Sequence, residues 1–187
     1  MANIDYRRGM HPQFGPFGST PPTRKYPLRQ AIQAATPYQT VIYKGMAIKR
    51  STSGWAIAAN ATNVTNSIGV AAEYYAGSAV TKSEIMYWPG DSVDFQIQSD
   101  NTTSTGLTAA NFLHKNFALI SQAAGDTNSG ISKAELDYSS GEAATGTNML
   151  RCIDVIEPAG GSKFGANAYC IVRFNDGFLW SQESTIV

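Results

Sequence analysis

Charge is scarce in this chain of 187 residues. Asp, Glu, Lys and Arg together make up 15%, against about a quarter in ordinary globular domains. Histidine and cysteine are scarcer, with two of each. His11 stands in a proline-rich stretch where nothing is expected to hold it rigid. His114 follows a short helical segment and reads as a surface or capping residue. Neither histidine forms a zinc set with Cys152 and Cys170, since two cysteines without a histidine cluster fall short of four ligands. Asp126 with Asn128 offers calcium too few oxygens. No nucleophile elbow, metalloprotease helix, phosphate loop or dinucleotide fingerprint occurs. The expectation is a protein that is not an enzyme, with no cofactor and no metal site. No run approaches the roughly 20 apolar residues of a membrane span. "MANIDYRRGM" has no apolar run after its charges, so synthesis in a cytoplasm without a leader is expected. The N-x-[ST] matches at Asn60, Asn63 and Asn101 then read as chance.

What is present in quantity is uncharged. Hydrophobic residues make up 43%, too many for general disorder. Gly, Ser, Thr, Asn and Ala fill much of the rest, a composition common in extracellular and virion proteins. Strand signals dominate after residue 27. "TVIYKGMAIKR" (40–50) is split by Lys44-Gly45, which reads as a tight turn. "SIGVAAEYY" (67–75) is β-like, with a bulge expected at Gly69. "EIMYWPGDSVDFQIQ" (84–98) reads as a hairpin around Pro89-Gly90-Asp91, because Val93, Phe95 and Ile97 alternate with polar residues. "GWAIAA" (54–59), "NFALISQ" (116–122), "SKAELDYS" (132–139), "NMLRCIDVIE" (148–157) and "AYCIVRFND" (168–176) add further strands. "LTAANFLHK" (107–115) is the best short helix, with Thr108 as N-cap. "LRQAIQAA" (28–35) is ambiguous. The fold class is therefore all-β: a compact β-barrel or β-sandwich of about ten short strands, an extended N-terminal arm, and at most one or two short helices.

The arm is set apart by proline and by charge. Five of the eight prolines fall between Gly9 and Pro27, and proline stiffens the chain in an extended form. Residues 1–30 carry five basic side chains against Asp5 alone, a net +4. The remaining nine basic and thirteen acidic residues leave −4. A basic tail on an acidic body suggests an acidic partner. The prolines and aromatics favour a protein surface over nucleic acid, which an acidic body repels. The boundary falls after residue 27, giving a Pro/Gly/Arg-rich arm (1–27) and a β-rich body (28–187). Removing residues 1–25 is expected to leave the body folded. Cys152 and Cys170 lie in two strand-like runs; they are either buried reduced thiols or, if those strands pair, a disulfide. Tyr74-Tyr75, Tyr87-Trp88 and Phe178-Trp180 serve core packing or an interface. The apolar C-terminus suits packing on a neighbouring subunit.

Taken in order, "RKYPLRQAIQAATPYQTVIYKGMAIK", "SIGVAAEYY", "MYWPG", "VDFQIQ", "LTAANF", "SKAELDYSS", "NMLRCIDVI" and "GANAYCIVRFND" resemble the successive blocks of the capsid decoration (cement) proteins of tailed bacteriophages. The resemblance spans nearly the whole chain. The two cysteines and the longer "SQESTIV" tail depart from the family pattern. It implies a viral structural protein on the outer surface of the phage head, made in the host cytoplasm. Such a protein binds the major capsid protein shell, stabilises it without catalysis, and sits there as a trimer or dimer. The arm is then the capsid-binding element. Arg7, Arg8, Arg24 and Lys25 would pair with shell carboxylates, and Phe14, Phe17 and Tyr26 would fill shallow pockets. Alternative readings are another virion β-protein, such as a head-fibre or tail component, and a carbohydrate- or receptor-binding module.

Overall fold

The structure is a computed structural model. It describes residues 9–13, 20–28, 41–59, 66–77, 83–102, 107–120, 125–142, 148–157, 163–176 and 179. Among these, thirteen strands and one short helix make an all-β protein. The strands are β1 (His11–Pro12), β2 (Arg24–Pro27), β3 (Ala47–Arg50), β4 (Ala56–Ala58), β5 (Ser67–Ala71), β6 (Glu84–Pro89), β7 (Phe95–Gln98), β8 (Asn116–Ile120), β9 (Gly125–Asp126), β10 (Ile131–Ser132), β11 (Glu135–Glu142), β12 (Leu150–Ile156) and β13 (Tyr169–Phe174); helix α1 is Ala109–Phe112. Six strands form one antiparallel sheet in the order β1-β7-β13-β12-β8-β11. Five form a second, β2-β6-β5-β3-β4, and β9 with β10 form a small ribbon.

Each large sheet curls around its own apolar cluster. In the six-stranded sheet, alternate residues point inward: Phe95 and Ile97 on β7, Phe117 and Leu119 on β8, Cys170, Val172 and Phe174 on β13. A bridge between Ser99, just past β7, and Leu136 on β11 brings the far sides of this sheet together. In the five-stranded sheet a bridge from Leu28, just past β2, to Ala56 on β4 does the same around Ile48, Ile68, Ile85 and Tyr87. Among the described residues neither sheet closes into a continuous barrel. Ala47, Val70 and Trp88 of the five-stranded sheet pack into the cluster of the other. The five-stranded sheet is thus apolar on both faces, and every residue of β5 is buried. Phe95, Phe112, Phe117 and Phe174 are fully buried, each worth about 1.5–3 kcal/mol in apolar transfer.

Local chemistry explains several bends. Gly45 takes φ +84° in the turn closed by Met46 N–H donating to Tyr43 C=O at 3.1 Å, as the Lys44-Gly45 signal predicts. The register of β3 on β5 slips between Ile48 and Lys49, opposite Gly69 and Ser67, so the expected bulge is present. A second slip between Cys152 and Asp154 on β12 lets both Cys152 and Val155 face the core despite their odd spacing. The predicted helix is real but short. The Asn111 Oδ1 accepts from the Thr108 N–H at 2.8 Å and its hydroxyl at 3.1 Å, and His114 at φ +62° turns the chain away.

Two expectations are corrected. Residues 84–98 are not a hairpin. β6 pairs with β2 and β5, whereas β7 pairs with β1 and β13. The Pro89-Gly90-Asp91 turn is a crossover between sheets, because β6 already has a partner on each edge. His11 is held in place, since β1 pairs His11 with Gln96 and Pro12 with Phe95. The described parts of residues 1–27 are also built into the body: Met10 is fully buried in the first cluster, and β2 is a strand of the second sheet. A body lacking residues 1–25 loses a core side chain, β1 and half of β2. Asn101 is buried, donating through Nδ2 to Gly165 C=O at 3.2 Å, which makes it no glycan acceptor.

Candidate functional site

β2 runs along the edge of the five-stranded sheet because Arg24, Lys25, Tyr26 and Pro27 pair antiparallel with Tyr87, Met86, Ile85 and Glu84. Alternation puts Arg24 and Tyr26 on the side of Ile85 and Tyr87, facing the mouth of the curled sheet. Beyond the end of β6 the chain after β13 crosses over, and Leu179 bridges Ser67 at the start of β5. Between these pieces lies a cleft of about 660 Å³. Its apolar lining comes from Tyr26, Pro27, Ile68, Tyr87 and Leu179. Its charged lining comes from Arg24, Lys25, Asp91 and Asp176.

The charges are arranged in pairs. Arg24 Nη1 meets Asp91 Oδ2 at 3.3 Å, and Lys25 Nζ meets Glu84 Oε2 at 3.4 Å. All four side chains are about half exposed or more, so each pair contributes only about 0–1 kcal/mol. Tyr26 and Tyr87 meet edge to face with ring centroids 6.2 Å apart. Burial pushes the Tyr87 phenol above its ordinary value, while the charge and hydrogen bond of Arg24 act against that shift. The Arg24 guanidinium thereby touches both the phenol and Asp91. Beside the cleft, Arg173 Nε and Nη2 donate to Asp94 at 2.7 and 2.9 Å. That fork, with the charge of Asp176 also near, holds the guanidinium pKa above its ordinary value and ties β13 to β7.

Of the residues singled out from sequence, Arg24, Lys25 and Tyr26 come together in this cleft. Arg7, Arg8, Phe14 and Phe17 lie outside the described residues, as do Phe178 and Trp180. Asp91 and Tyr87 drew notice in the sequence only as a turn residue and a packing or interface aromatic. Asp176 carried no signal, since nothing local relates it to Asp91 or Arg24. Tyr75, Tyr87 and Trp88 are buried, in agreement with packing.

Cys152 and Cys170 are both fully buried and both free thiols. They face the same cluster from adjacent strands. The Cys152 side chain, by hydrogen bonding, and burial both push the Cys170 thiol well above its ordinary value. A thiol that ionises so reluctantly is a poor nucleophile. Among the described residues no group of three or more His, Cys, Asp or Glu is placed to hold a metal ion, and no helix is long and apolar enough to cross a membrane. The chain matches no protein-family model, no curated protein sequence and no solved structure.

Proposed function

We propose that this chain is a viral structural protein that binds the outer surface of a major capsid protein shell and stabilises the head. The ordered blocks of sequence that resemble tailed-phage decoration proteins support this reading. The structural observation that carries it is the anchoring of the N-terminal stretch at two points. His11–Pro12 joins the six-stranded sheet and Arg24–Pro27 joins the five-stranded one. The phenylalanines and prolines of "FGPFGSTPP" lie between those anchors in sequence. A segment fixed at both ends loses less entropy on docking than a free tail.

In this proposal Arg7, Arg8, Phe14 and Phe17 carry the contacts to the shell. Arg24, Lys25 and Tyr26 fasten the far end of the segment to the body. The exposed Arg24 and Lys25 pairs exchange partners at small cost. The protein works as a dimer or trimer on the shell, without catalysis. Binding that exists only on the assembled shell stabilises that state by linkage. Shells coated with the protein are expected to release their DNA at a higher temperature than uncoated shells. Equal release temperatures would overturn the stabilising role.

A further inference from the structure

The cleft at the mouth of the five-stranded sheet has a chemistry that the shell contacts do not use. Its charged lining residues are Arg24, Lys25, Asp91 and Asp176; Arg24 pairs with Asp91 on the cleft side, while Lys25 alternates to the other face and pairs with Glu84. An anionic ligand meets both carboxylates, and a cationic one meets the guanidinium. A purely apolar ligand strips water from these charges and returns no hydrogen bond. A neutral ligand dense in hydroxyls avoids each of these penalties. Its hydroxyls donate to Asp91 and Asp176 and accept from Arg24. The Arg24–Asp91 pair, 3.3 Å apart, presents donors and acceptors side by side, matching two adjacent hydroxyls on one ring. The rings of Tyr26 and Tyr87 supply apolar surface against which an aliphatic C–H face packs. The cleft's volume of about 660 Å³ falls inside the roughly 300–1,000 Å³ range of small-ligand sites.

We propose that this cleft is a binding site for a neutral saccharide. Asp91, Asp176 and Arg24 read its hydroxyls, and Tyr26 with Tyr87 cover its apolar face. The proposal stands on the cleft alone and is independent of the capsid reading.

The test uses the full chain on an array of neutral oligosaccharides built from glucose, galactose, mannose and N-acetylhexosamines. A sulfated polysaccharide and an oligo-arginine peptide serve as charged controls. Hits are confirmed by saturation-transfer NMR. At least one neutral saccharide class is expected to bind with a dissociation constant on the order of a millimolar or tighter. Asp91→Asn and Tyr26→Ala are each expected to weaken it about tenfold or more, the scale of a lost charge-assisted hydrogen bond or apolar contact. Asp176→Asn is exposed and leaves the fold intact, and it is expected to weaken binding likewise. Glu157→Gln, an exposed change away from the cleft, is expected to leave it unchanged. The proposal is overturned if no neutral saccharide binds, if only the charged controls bind, or if bound saccharide is indifferent to both Asp91→Asn and Asp176→Asn.

Discussion

Single residues set the tightest constraints in this fold. Gly69 has φ +147°, and a Cβ there would run into the Trp88 carbonyl oxygen. Gly69→Ala therefore combines a conformation that L residues rarely adopt with a backbone clash, and about 3 kcal/mol of stability is expected to go. Urea unfolding checks this; a loss below about 1 kcal/mol would mean the bulge relaxes without cost. Cys152 and Cys170 are buried and free, so a thiol reagent is expected to label neither in the native protein and both in denaturant. Fast labelling of native protein would contradict their packing. The residue scale is also where sequence was most readable. Lys44-Gly45 and Gly69 announced their turn and bulge because glycine marks backbone that other residues avoid. The cleft was half readable. Arg24 to Tyr26 stood out as a local basic-aromatic cluster, while Asp91 and Asp176 join them only through the crossing of chain segments distant in sequence.

At the scale of elements, the described parts of the N-terminal stretch, residues 9–13 and 20–28, pack with the body. Met10 is fully buried beside the first cluster, its N–H donating to Gly45 C=O at 2.8 Å. Met10→Ala is expected to cost about 2–5 kcal/mol. Deleting residues 1–12 should cost at least as much, because β1 leaves with the methionine. Thermal unfolding of both variants decides it; a deletion as stable as the full chain would restore a detachable arm. β1 and β2 were not legible in sequence because two-residue and four-residue strands carry no periodic apolar pattern, and prolines sit at edge positions where sheets tolerate them. The hairpin expected at 84–98 failed for a related reason. Alternation on β7 and an apolar run on β6 identify two strands correctly, but pairing partners are long-range facts. Trp88 belongs to the first cluster and Ile85 with Tyr87 to the second, so β6 divides its side chains between two cores.

Among the described residues the two large sheets share apolar side chains from β3, β5 and β6, and the stability of the fold has a predictable alkaline limit. Tyr75 and Tyr87 are raised from 10.0, both chiefly by burial. Cys170 is raised from 9.0 by its hydrogen bond with Cys152 and by burial. In each case the native state holds its proton more tightly than the unfolded chain. Their contribution is complete below about pH 9 and is lost as pH rises through the native values. The thermal midpoint is expected to hold from pH 7 to 8.5 and to fall above pH 9. A midpoint unchanged to pH 11 would show that these groups are not buried as described.

The proposed shell binding engages the molecule as a whole too, with the body as anchor and the N-terminal segment as contact. Its most direct test is co-sedimentation of the full chain with undecorated shells of its virus across a salt series, beside a variant with Arg7 and Arg8 changed to Ser and one with Phe14 and Phe17 changed to Ala. The full chain is expected to saturate the shells at a fixed stoichiometry. The arginine variant should bind more weakly and with less dependence on salt. The phenylalanine variant should bind more weakly with the salt dependence kept. A full chain that stays in the supernatant at every salt concentration would contradict the account.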